Sequence, residues 1–557
     1  MSPSSPELKE TLKTLLERSV GSAFPSSFSS HVRLEIPKSR EHGDWTTTIA
    51  MQIASVEKRE AGEVARTIVS SLRALLKKSN LESTIPKIEV LPPGFINFFL
   101  SDTQHRNILV EIIKRPDYGA SSIGKGTNVQ IEFVSANPTG PLSVAHGRQA
   151  AVGDTLARIL QFCGYEVSRE YYVNDVGNQI VLLGRSLYLR YRELFGERID
   201  IPEGGYRGSY LVDLAKEIQA TVGDRSLKET EETLSFFERY AAQKILERIR
   251  HDLEAFGVRF DHFTYESELR AEGKVEGVLE ALRQKGFLFE SEGATWFRST
   301  AFGDDKDRVV VKSDRSFTYL APDIAYHREK FARGYQRLIN IWGPDHHGYI
   351  GRLRAAVSAL GHDQESLSIL ILQLATLYRD GVVVPMSTRM GEFVTLREVQ
   401  SEVGVDAARF FFLMKKLASH LDFDLALAKE QSLENPVYTI QYAHARISNI
   451  MAFGKIDAVR PEEVAYDLLK HPEELELLKQ LREFPDVVLS CARSLEPAHL
   501  VFYLQKLAGA FHSFYQKHRV ITDDRPLSRV RALLVLCIRQ VLARGLSLLG
   551  VSAPDKM

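Results

Sequence analysis

The sequence predicts an α/β protein with a doubly wound parallel sheet, a small α+β domain before it and an all-α helix bundle after it. Three observations support this fold class. A strand–loop–helix–strand pattern typical of a parallel βαβ unit begins near Asn128. Short strands and a polar helix precede it, and beyond Pro436 only helical periodicity remains. The length agrees, since 557 residues correspond to roughly three to five domains.

The first domain is expected to span residues 1–110. An amphipathic helix is predicted close to the N-terminus, and a polar helix covers about 57–78. The segment Phe95–Leu100 is rich in strand-forming residues and indicates a buried strand. Glycines in Gly119–Gly126 then mark a linker to the next domain.

The βαβ unit opens the second domain. Val129–Val134 is predicted to be a strand, the loop Asn137–Pro141 ends it, and a helix follows over about 147–162. A second strand is predicted at Glu166–Val173. This order of elements is Rossmann-like.

The second domain is expected to cover residues 120–434. Further strands are predicted at Arg308–Val311, Leu338–Ile341 and Val382–Val384. A highly charged helical stretch over about 180–290 is interpreted as an insertion between two halves of the sheet.

Residues 435–557 are expected to form the helix bundle. Four apolar-faced helices are predicted, at Tyr438–Phe453, Glu473–Leu481, Ala498–Tyr515 and Val530–Leu549. The last 70 residues hold ten basic and four acidic side chains, a local difference of +6. Such a surface favours a phosphate backbone, although an ordinary solvated face is the alternative.

Composition excludes several protein classes. With 44% hydrophobic and 26% charged residues the chain is a globular protein, not a fibrous or disordered one. A net charge of −1 excludes a uniformly basic nucleic-acid coat protein. Cys163, Cys491 and Cys537 lie too far apart for a zinc or disulfide pattern. No apolar run approaching the roughly 18 residues of a membrane span is expected, which predicts a cytoplasmic protein with no membrane contact.

The first candidate functional segment is Asn137–Arg148, with the sequence NPTGPLSVAHGR. It joins a strand to a helix N-terminus, where free backbone N–H groups favour phosphate. His146 could donate to a phosphate oxygen, and Gly140 and Gly147 would let a flat nucleotide approach the backbone. A plain turn with a satisfied histidine is the alternative interpretation.

The second candidate segment is the loop that follows Val383. Ser387 and Thr388 supply hydroxyls and Arg389 a guanidinium, which could close over a triphosphate and neutralise developing charge. The alternative is a surface hairpin.

A third group combines carboxylates with polar groups beside the predicted strands. Carboxylates suit a cationic ligand, and they can hold a planar guanidinium bidentately in a way that an ammonium cannot match. For each single acid, a capping or salt-bridge role is the alternative. The group consists of Glu132, Asn137, Tyr319 and Asp323.

Together these segments resemble the class I aminoacyl-tRNA synthetases, and specifically the bacterial type of arginyl-tRNA synthetase. NPTGPLSVAHGR is similar to the family's HIGH region, and PMSTRMGEFVTLREV (Pro385–Val399) lies where its KMSKS loop is expected. The resemblance spans essentially the whole chain. The other similar stretches are Gly43–Trp45, Pro93–Asn97, Arg169–Asp175, Gly343–Tyr349, Asp406–Phe411, Asn435–Tyr438 and Gln441–Arg446.

The resemblance implies a reaction in which ATP, L-arginine and tRNA(Arg) give arginyl-tRNA, AMP and diphosphate, through arginyl adenylate. Mg²⁺ is expected to accompany the triphosphate without a dedicated protein cage. The N-terminal domain would contact the outer corner of the tRNA and the bundle its anticodon. A monomer is expected.

The resemblance also implies roles for individual residues. The catalytic set would be Ser143, His146, Ser387 and Arg389. The arginine pocket would be lined by Glu132, Asn137, Ser143, Tyr319, Asp323 and His346. ATP would meet Asn137, Pro138, Thr139, Gly140, Pro141, His146, Gly147, Asp345, Met386, Ser387, Thr388 and Arg389.

The sequence departs from the family pattern at both signatures. Ser143 replaces the first histidine of HIGH, Ala145 its glycine, and Pro385 and Thr388 the two lysines of KMSKS. Losing one preorganised donor commonly lowers the rate by about 10²–10³. Compensation is therefore expected from Arg389, together with Lys312 or Lys125; these are the basic residues nearest in sequence to the site elements.

Three other functions stay open from the sequence. The replacement of residues in both signature motifs would suit a tRNA-binding protein that no longer forms adenylate. A synthetase for glutamine, glutamate or cysteine could use the same fold, but acids in the pocket disfavour anionic substrates and no zinc spacing supports the cysteine enzyme. A helical adaptor is disfavoured by the βαβ core.

Overall fold

The computed structural model describes residues 5–37, 39–384, 393–454 and 459–557. The N-terminal region is a three-stranded antiparallel sheet, in the order β1-β3-β2, packed against helices. Its elements are α1 (Ser5–Ala23), β1 (Trp45–Thr47), α2 (Ile49–Glu57), α3 (Ala61–Lys78), β2 (Lys87–Leu91) and β3 (Phe95–Phe99).

The polar helix predicted at 57–78 is preceded by a separate helix, because the chain turns between α2 and α3. Lys58 takes a left-handed conformation at φ 52°. The Glu60 side chain then accepts from the backbone N–H groups of Gly62 and Glu63 and caps α3. The strand predicted at Phe95–Leu100 is confirmed as β3.

The middle region alternates strands with helices. In chain order it contains α4 (Asp102–Lys114), β4 (Asn128–Glu132), α5 (Val144–Phe162), β5 (Glu166–Val173), α6 (Asn178–Glu193), α7 (Tyr210–Val222), α8 (Glu231–Ala255), β6 (His262–Tyr265), α9 (Glu266–Ala271), α10 (Lys274–Gln284), β7 (Leu288–Ser291), β8 (Ala294–Phe297), β9 (Arg308–Val311), α11 (Leu320–Ala332), β10 (Arg337–Trp342), α12 (Ile350–Leu360), β11 (Leu367–Ile371), β12 (Ala375–Arg379), β13 (Val382–Val383), α13 (Leu396–Val403), α14 (Val405–Leu413), β14 (Leu421–Asp424) and α15 (Leu425–Lys429).

Five of these strands form a parallel sheet in the order β11-β10-β4-β5-β6, which confirms the predicted fold class. The chain runs from β4 outward to β5 and β6, then returns to the other side of β4 with β10 and β11. The strand order therefore reverses between β4 and β10. Ligands of doubly wound sheets bind beyond the carboxyl ends of the strands at such a point.

The strands predicted at Arg308–Val311 and Val382–Val384 are confirmed as β9 and β13, but neither belongs to the parallel sheet. β9 belongs to a separate antiparallel sheet, β7-β8-β9, and β13 pairs with β12 in a third sheet, β13-β12-β14. The stretch 180–290 is not uniformly helical, because β6 joins the parallel sheet inside it. β6 has only four residues, too few to show an alternating pattern.

The C-terminal region is the predicted bundle. Its helices are α16 (Pro436–Phe453), α17 (Pro472–Ser494), α18 (Ala498–Lys517) and α19 (Arg525–Leu549). α17 runs well past its predicted end and through Pro485. Proline leaves the carbonyl four residues earlier without its helical donor, and here the Tyr118 hydroxyl donates to that Leu481 oxygen at 2.9 Å.

Among the described residues one helix, α19, is long and apolar enough to cross a membrane by length and composition alone. This helix corrects the sequence prediction that no apolar segment approaches the length of a membrane span. Because 67% of its most apolar window is buried inside the protein, α19 is the core helix of the bundle. One continuous hydrophobic cluster runs from Ile108 to Val551 through the parallel sheet and the bundle, and a second lies within Leu8–Leu100.

Candidate active site

The loop between β4 and α5 holds His146 in one orientation. Ser143 precedes the first residue of α5, and its backbone N–H donates to His146 Nδ1 at 3.1 Å. Burial lowers the pKa of His146 to about 4, so the ring is neutral at pH 7. With Nδ1 accepting, the single ring proton lies on Nε2, which can donate to an anion at the start of the helix.

Packing leaves little room for a side chain at Gly140 of this loop and at Gly147 in the first turn of α5. A Cβ on Gly147 would lie 2.7 Å from Leu396 Cδ1, at the helix after the second candidate loop. A Cβ on Gly140 would lie 3.3 Å from the hydroxyl of Tyr210, which itself donates to the Thr139 carbonyl at 2.6 Å. These contacts explain the glycines without a nucleotide, so their nucleotide roles stay predictions.

The two candidate loops meet. Ser143 forms an antiparallel bridge with Thr395, and the Leu396 N–H donates to the Leu142 carbonyl at 2.8 Å. At the other end, the Val384 N–H donates to the Leu377 carbonyl at 2.9 Å. The residues after the segment 385–392 are thereby held beside the start of α5, and the residue before it is held against β12. The predicted residues Met386, Ser387, Thr388 and Arg389 themselves lie outside the described residues.

Glu132 lies at the carboxyl end of β4, but it already has a cationic partner. The buried Lys330 Nζ lies 2.5 Å from Glu132 Oε2, and Ser135 donates to the other oxygen at 3.2 Å. Lys330 also donates to Asn340 Oδ1 at 3.1 Å and lies 4.2 Å from the Tyr326 ring centroid. Both carboxylate oxygens of Glu132 therefore already accept a hydrogen bond within the protein.

Asp323, on the first turn of α11, is a carboxylate without a cationic side-chain partner among the described residues. The Tyr349 hydroxyl donates to Asp323 Oδ2 at 2.6 Å. Burial raises the pKa of Asp323 to about 7; the Tyr349 bond opposes that rise, and the charges of Glu132 and Glu266 add to it. A cation placed here would restore the ionised form.

A chain of hydrogen bonds through neutral side chains orients the groups beside Asp323. His327 Nδ1 lies 2.8 Å from the Asp323 carbonyl, and its Nε2 lies 2.9 Å from Asn340 Nδ2. Burial lowers the pKa of His327 to about 3, so the ring donates through Nδ1 and accepts through Nε2. Asn340 then accepts from Lys330, and the orientation of every group in the chain is determined.

The other predicted pocket residues are more peripheral. Asn137 Nδ2 donates to Gln179 Oε1 at 2.7 Å, so its amide is oriented from α6. Tyr319 is 78% exposed at the start of α11. Asp345 and His346 lie exposed on a 3₁₀ turn directly after β10, at the same edge of the sheet as the β4 loop.

Sequence reasoning missed four residues of the site. Lys330 and His327 could have been found, because they follow Asp323 at the i+7 and i+4 spacing of one helical face. Tyr349 carried no comparable local signal. The buried Arg148 ties α5 to the turn before β14, donating to the carbonyls of Gln373 at 2.6 Å and Ser419 at 3.1 and 3.2 Å.

Two lysines were expected to compensate for the missing signature lysines. One of them, Lys125, lies too far from His146 to do so. The Gly124 N–H donates to the Cys163 carbonyl, so Lys125 lies at the far end of α5 from His146. The 19 residues of α5 separate these ends by about 28 Å. Lys312 lies on an exposed hairpin turn between β9 and the Tyr319 segment, and its role stays a prediction.

Comparison with known proteins agrees with this arrangement. Three family descriptions match in order: the arginyl-tRNA synthetase N-terminal domain over residues 7–100, the class I (R) tRNA synthetase catalytic domain over 107–418, and the DALR anticodon-binding domain over 440–557.

Individual relatives match along nearly the whole chain. The arginine–tRNA ligase of Citrifermentans bemidjiense is 48% identical, covering 99% of this chain and 100% of the relative. That of Geobacillus thermodenitrificans is 44% identical, covering 99% of both. The Thermus thermophilus arginyl-tRNA synthetase structure shares the fold, with a TM-score of 0.78, 22% identity and coverage of 99% and 100%. Because relatives 44–48% identical match nearly the whole chain and three family descriptions match in order, the chain belongs to the arginine–tRNA ligases, which are class I aminoacyl-tRNA synthetases.

Proposed function

We propose that the protein activates L-arginine with ATP to form arginyl adenylate, and transfers the arginyl group to tRNA(Arg). The observation that carries this proposal is the bridge between Ser143 and Thr395. It joins the two signature segments at the start of α5, the helix that follows β4 and its terminal carboxylate Glu132.

Activation needs no nucleophile from the enzyme. The arginine carboxylate attacks the α-phosphate in line, the bond to diphosphate breaks, and the terminal adenosine of the tRNA later displaces AMP. The protein's contribution is positioning and charge stabilisation. The Nε2–H of His146 and the free N–H groups at the start of α5 donate to the phosphates, and Ser387, Thr388 and Arg389 of the second signature segment are proposed to supply further donors.

The guanidinium of arginine is proposed to pair with Asp323. A planar group with several donors can engage a carboxylate and neighbouring acceptors at once, whereas an ammonium is a compact point charge. Glu132 contributes less directly, since Lys330 already neutralises it. Asn137, Ser143, Tyr319 and His346 would complete the arginine pocket.

ATP is proposed to enter as its Mg²⁺ complex, with Asp345 and the residues Pro138–Pro141 beside the nucleotide. Within the described ranges no group of three His, Cys, Asp or Glu side chains could hold a metal ion, and Mg²⁺ commonly binds substrate phosphates and water instead. We further propose a cytoplasmic monomer without membrane contact.

The bundle is proposed to bind the tRNA anticodon, and the N-terminal region the outer corner of the tRNA. One half-buried face of the bundle carries stacked rings: Tyr438 and Tyr442 centroids lie 5.7 Å apart, and Tyr442 and His512 centroids 5.9 Å apart. The Arg446 guanidinium lies over Tyr442 and Tyr515. Ring and guanidinium planes of this kind suit unpaired RNA bases.

ATP–diphosphate exchange tests the proposal. With tRNA(Arg) present, exchange should require arginine and fail with lysine, glutamate, glutamine or cysteine. Arginine with ATP should also raise the melting temperature, and lysine should not. tRNA binding without any exchange would instead establish the alternative, a tRNA-binding protein that forms no adenylate.

A further inference from the structure

The Gly43–Asp44–Trp45 segment fixes a carboxylate at the edge of the N-terminal sheet. Gly43 has φ +90°, and a Cβ there would lie 2.6 Å from the Phe98 carbonyl oxygen, so only glycine fits. The Asp44 N–H donates to that same oxygen at 2.8 Å. The Leu100 N–H donates to Asp44 Oδ2 at 2.7 Å, which leaves Oδ1 facing away from the sheet.

Oδ1 meets the helix bundle. Arg482 of α17 donates to Asp44 Oδ1 at 2.7 Å and to His105 Nδ1 at 3.0 Å, and its guanidinium lies 5.4 Å from the Trp45 ring centroid. His105 Nε2 lies 3.4 Å from Asp44 Oδ1. Burial lowers the pKa of His105, so its one proton is on Nε2 and points at Asp44. We call Asp44, His105 and Arg482 the inter-module clamp.

The clamp is more than a surface ion pair. Its three members are only 2–5% exposed, and they come from three parts of the chain: the N-terminal sheet, α4 and α17. Buried ion pairs add little net stability compared with apolar residues of the same volume, but removing one partner leaves a buried charge unpaired. If the N-terminal region slid or rotated against α17, Asp44 would lose Arg482 and would become a buried charge without a partner. The cluster therefore selects one relative position.

The next turn of α17 contacts the same region. Asp486, four residues after Arg482, pairs with Lys9 of α1 at 2.6 Å. Residues four apart share one helical face, so a single face of α17 holds both α1 and the loop before β1.

We propose that the inter-module clamp positions the two tRNA-binding modules at the fixed separation that one tRNA spans. This inference rests on the proposed function, in which the N-terminal region and the bundle each bind tRNA. A ligand held at two points gains affinity from the effective concentration of the second site, and loses that gain when the geometry is wrong. The clamp acts through this geometry and does not touch the RNA.

The test compares two RNAs on one full-length variant. Arg482→Met should weaken binding of whole tRNA(Arg) about tenfold at constant salt, while the isolated anticodon stem-loop, which reaches only the bundle, should bind as it does to wild type. In aminoacylation the KM for tRNA should rise by a similar factor and the KM for arginine should stay unchanged. Unchanged affinity for whole tRNA, or an equal loss for both RNAs, would overturn the inference.

Arg531→Met is the matched control. Arg531 pairs with Glu474 at 2.8 Å, equally buried but entirely inside the bundle. It should lower the melting temperature without changing the ratio of the two RNA affinities. A change in that ratio would show that any loosening of the bundle has this effect, which would also overturn the clamp's role. If the wild-type protein bound neither RNA, the proposed function itself would fail.

Discussion

The environment of Asp323 disfavours the charge that its proposed role requires. Asp323 is partly buried near Glu132 and Glu266, which disfavours its charge, yet the proposed arginine pocket needs that charge to hold a guanidinium. The Tyr349 hydroxyl, at 2.6 Å, keeps the carboxylate oriented in the free protein. Strain of this kind, relieved when the ligand binds, is common at functional sites.

Arginine affinity should fall below about pH 7. Because the pKa of Asp323 is raised to about 7 in the free protein, the carboxyl is protonated at lower pH and loses its pairing with the guanidinium. The KM for arginine in the exchange assay should rise towards tenfold per pH unit below that point. Asp323→Asn should show a high KM at every pH, and retention of the inflection by this variant would contradict the assignment.

Asp323→Asn should stabilise the folded protein at high pH. Since the pKa of Asp323 is raised from 3.8 to about 7 by folding, the folded state binds more protons between these values, and its stability falls as the pH rises through them. Asp323→Asn should raise the melting temperature at pH 8 and leave it nearly unchanged at pH 4. A lower melting temperature at pH 8 would mean that Asp323 has an ion pair in the free protein.

His146 should act as a neutral donor through Nε2. His146→Ala should lower the exchange rate by about 10²–10³ without changing the KM for arginine. His146→Gln, whose amide nitrogen can occupy a similar position, should retain more activity than the alanine variant. Since the pKa of His146 is about 4, its protonation should produce no inflection between about pH 5 and 9. Equal rates for the glutamine and alanine variants would argue against the donor role.

At the scale of elements, the described residues that follow the second signature loop tie α13 to the start of α5. Thr395 caps α13 and bridges Ser143, while Leu396 fills the space that Gly147 leaves open. Pro385 and Thr388 stand where the family's loop has lysines, so Arg389 is the basic residue of PMSTR that we expect to meet the phosphates.

Arg389→Ala should lower kcat for diphosphate exchange by about 10²–10³, because the variant lacks a donor to the developing phosphate charge. The KM for arginine should change little, since the pocket carboxylates lie on β4 and α11. Lys312→Ala serves as the comparison on an exposed turn. An Arg389→Ala variant that keeps a rate within about threefold of wild type would remove Arg389 from this role, as normal kinetics would remove Lys312.

How much the sequence predicts differs from element to element. The eight residues of β5 are predicted with correct bounds, because a long run of strand formers gives a clear pattern. β6 is missed for its shortness, and the predicted end of α17 is wrong because the Tyr118 hydroxyl satisfies the carbonyl that Pro485 leaves free. Within the site, Asp323 is found as a single residue, whereas its bond from Tyr349 depends on how distant segments fold together.

At the scale of the molecule, the parallel sheet and the bundle share one core. Arg409 of α14 is fully buried and donates to the Leu549 carbonyl at 3.0 Å and to Asp154 at 2.6 Å, which joins α5, α14 and the end of α19. Removing residues 435–557 would expose this core. The nucleic-acid surface of the bundle is therefore better tested by point substitutions than by truncation.

The local charge of +6 divides into paired and unpaired groups. Lys517 lies 2.6 Å from Glu473, and Arg529 forms an ion pair with Glu463, both partners lying outside the basic segment. The exposed Arg519 and Arg525 show no ion pair within the residues that the structure describes. Only the side chains without an ion pair can release a full counterion when they bind a phosphate. The paired side chains must first give up a carboxylate, and so exchange one anion for another.

The salt dependence of tRNA binding should separate these two kinds of residue. Arg519→Ala with Arg525→Ala should reduce the slope of log affinity against log salt by about 0.9 for each phosphate that the variant no longer neutralises. The matched pair Lys517→Ala with Arg529→Ala removes the same formal charge and should change the slope less, since Glu473 and Glu463 already neutralise these side chains. Equal slopes for both double variants and wild type would contradict phosphate binding by this segment, and would leave the stacked rings around Tyr442 as the proposed RNA contact.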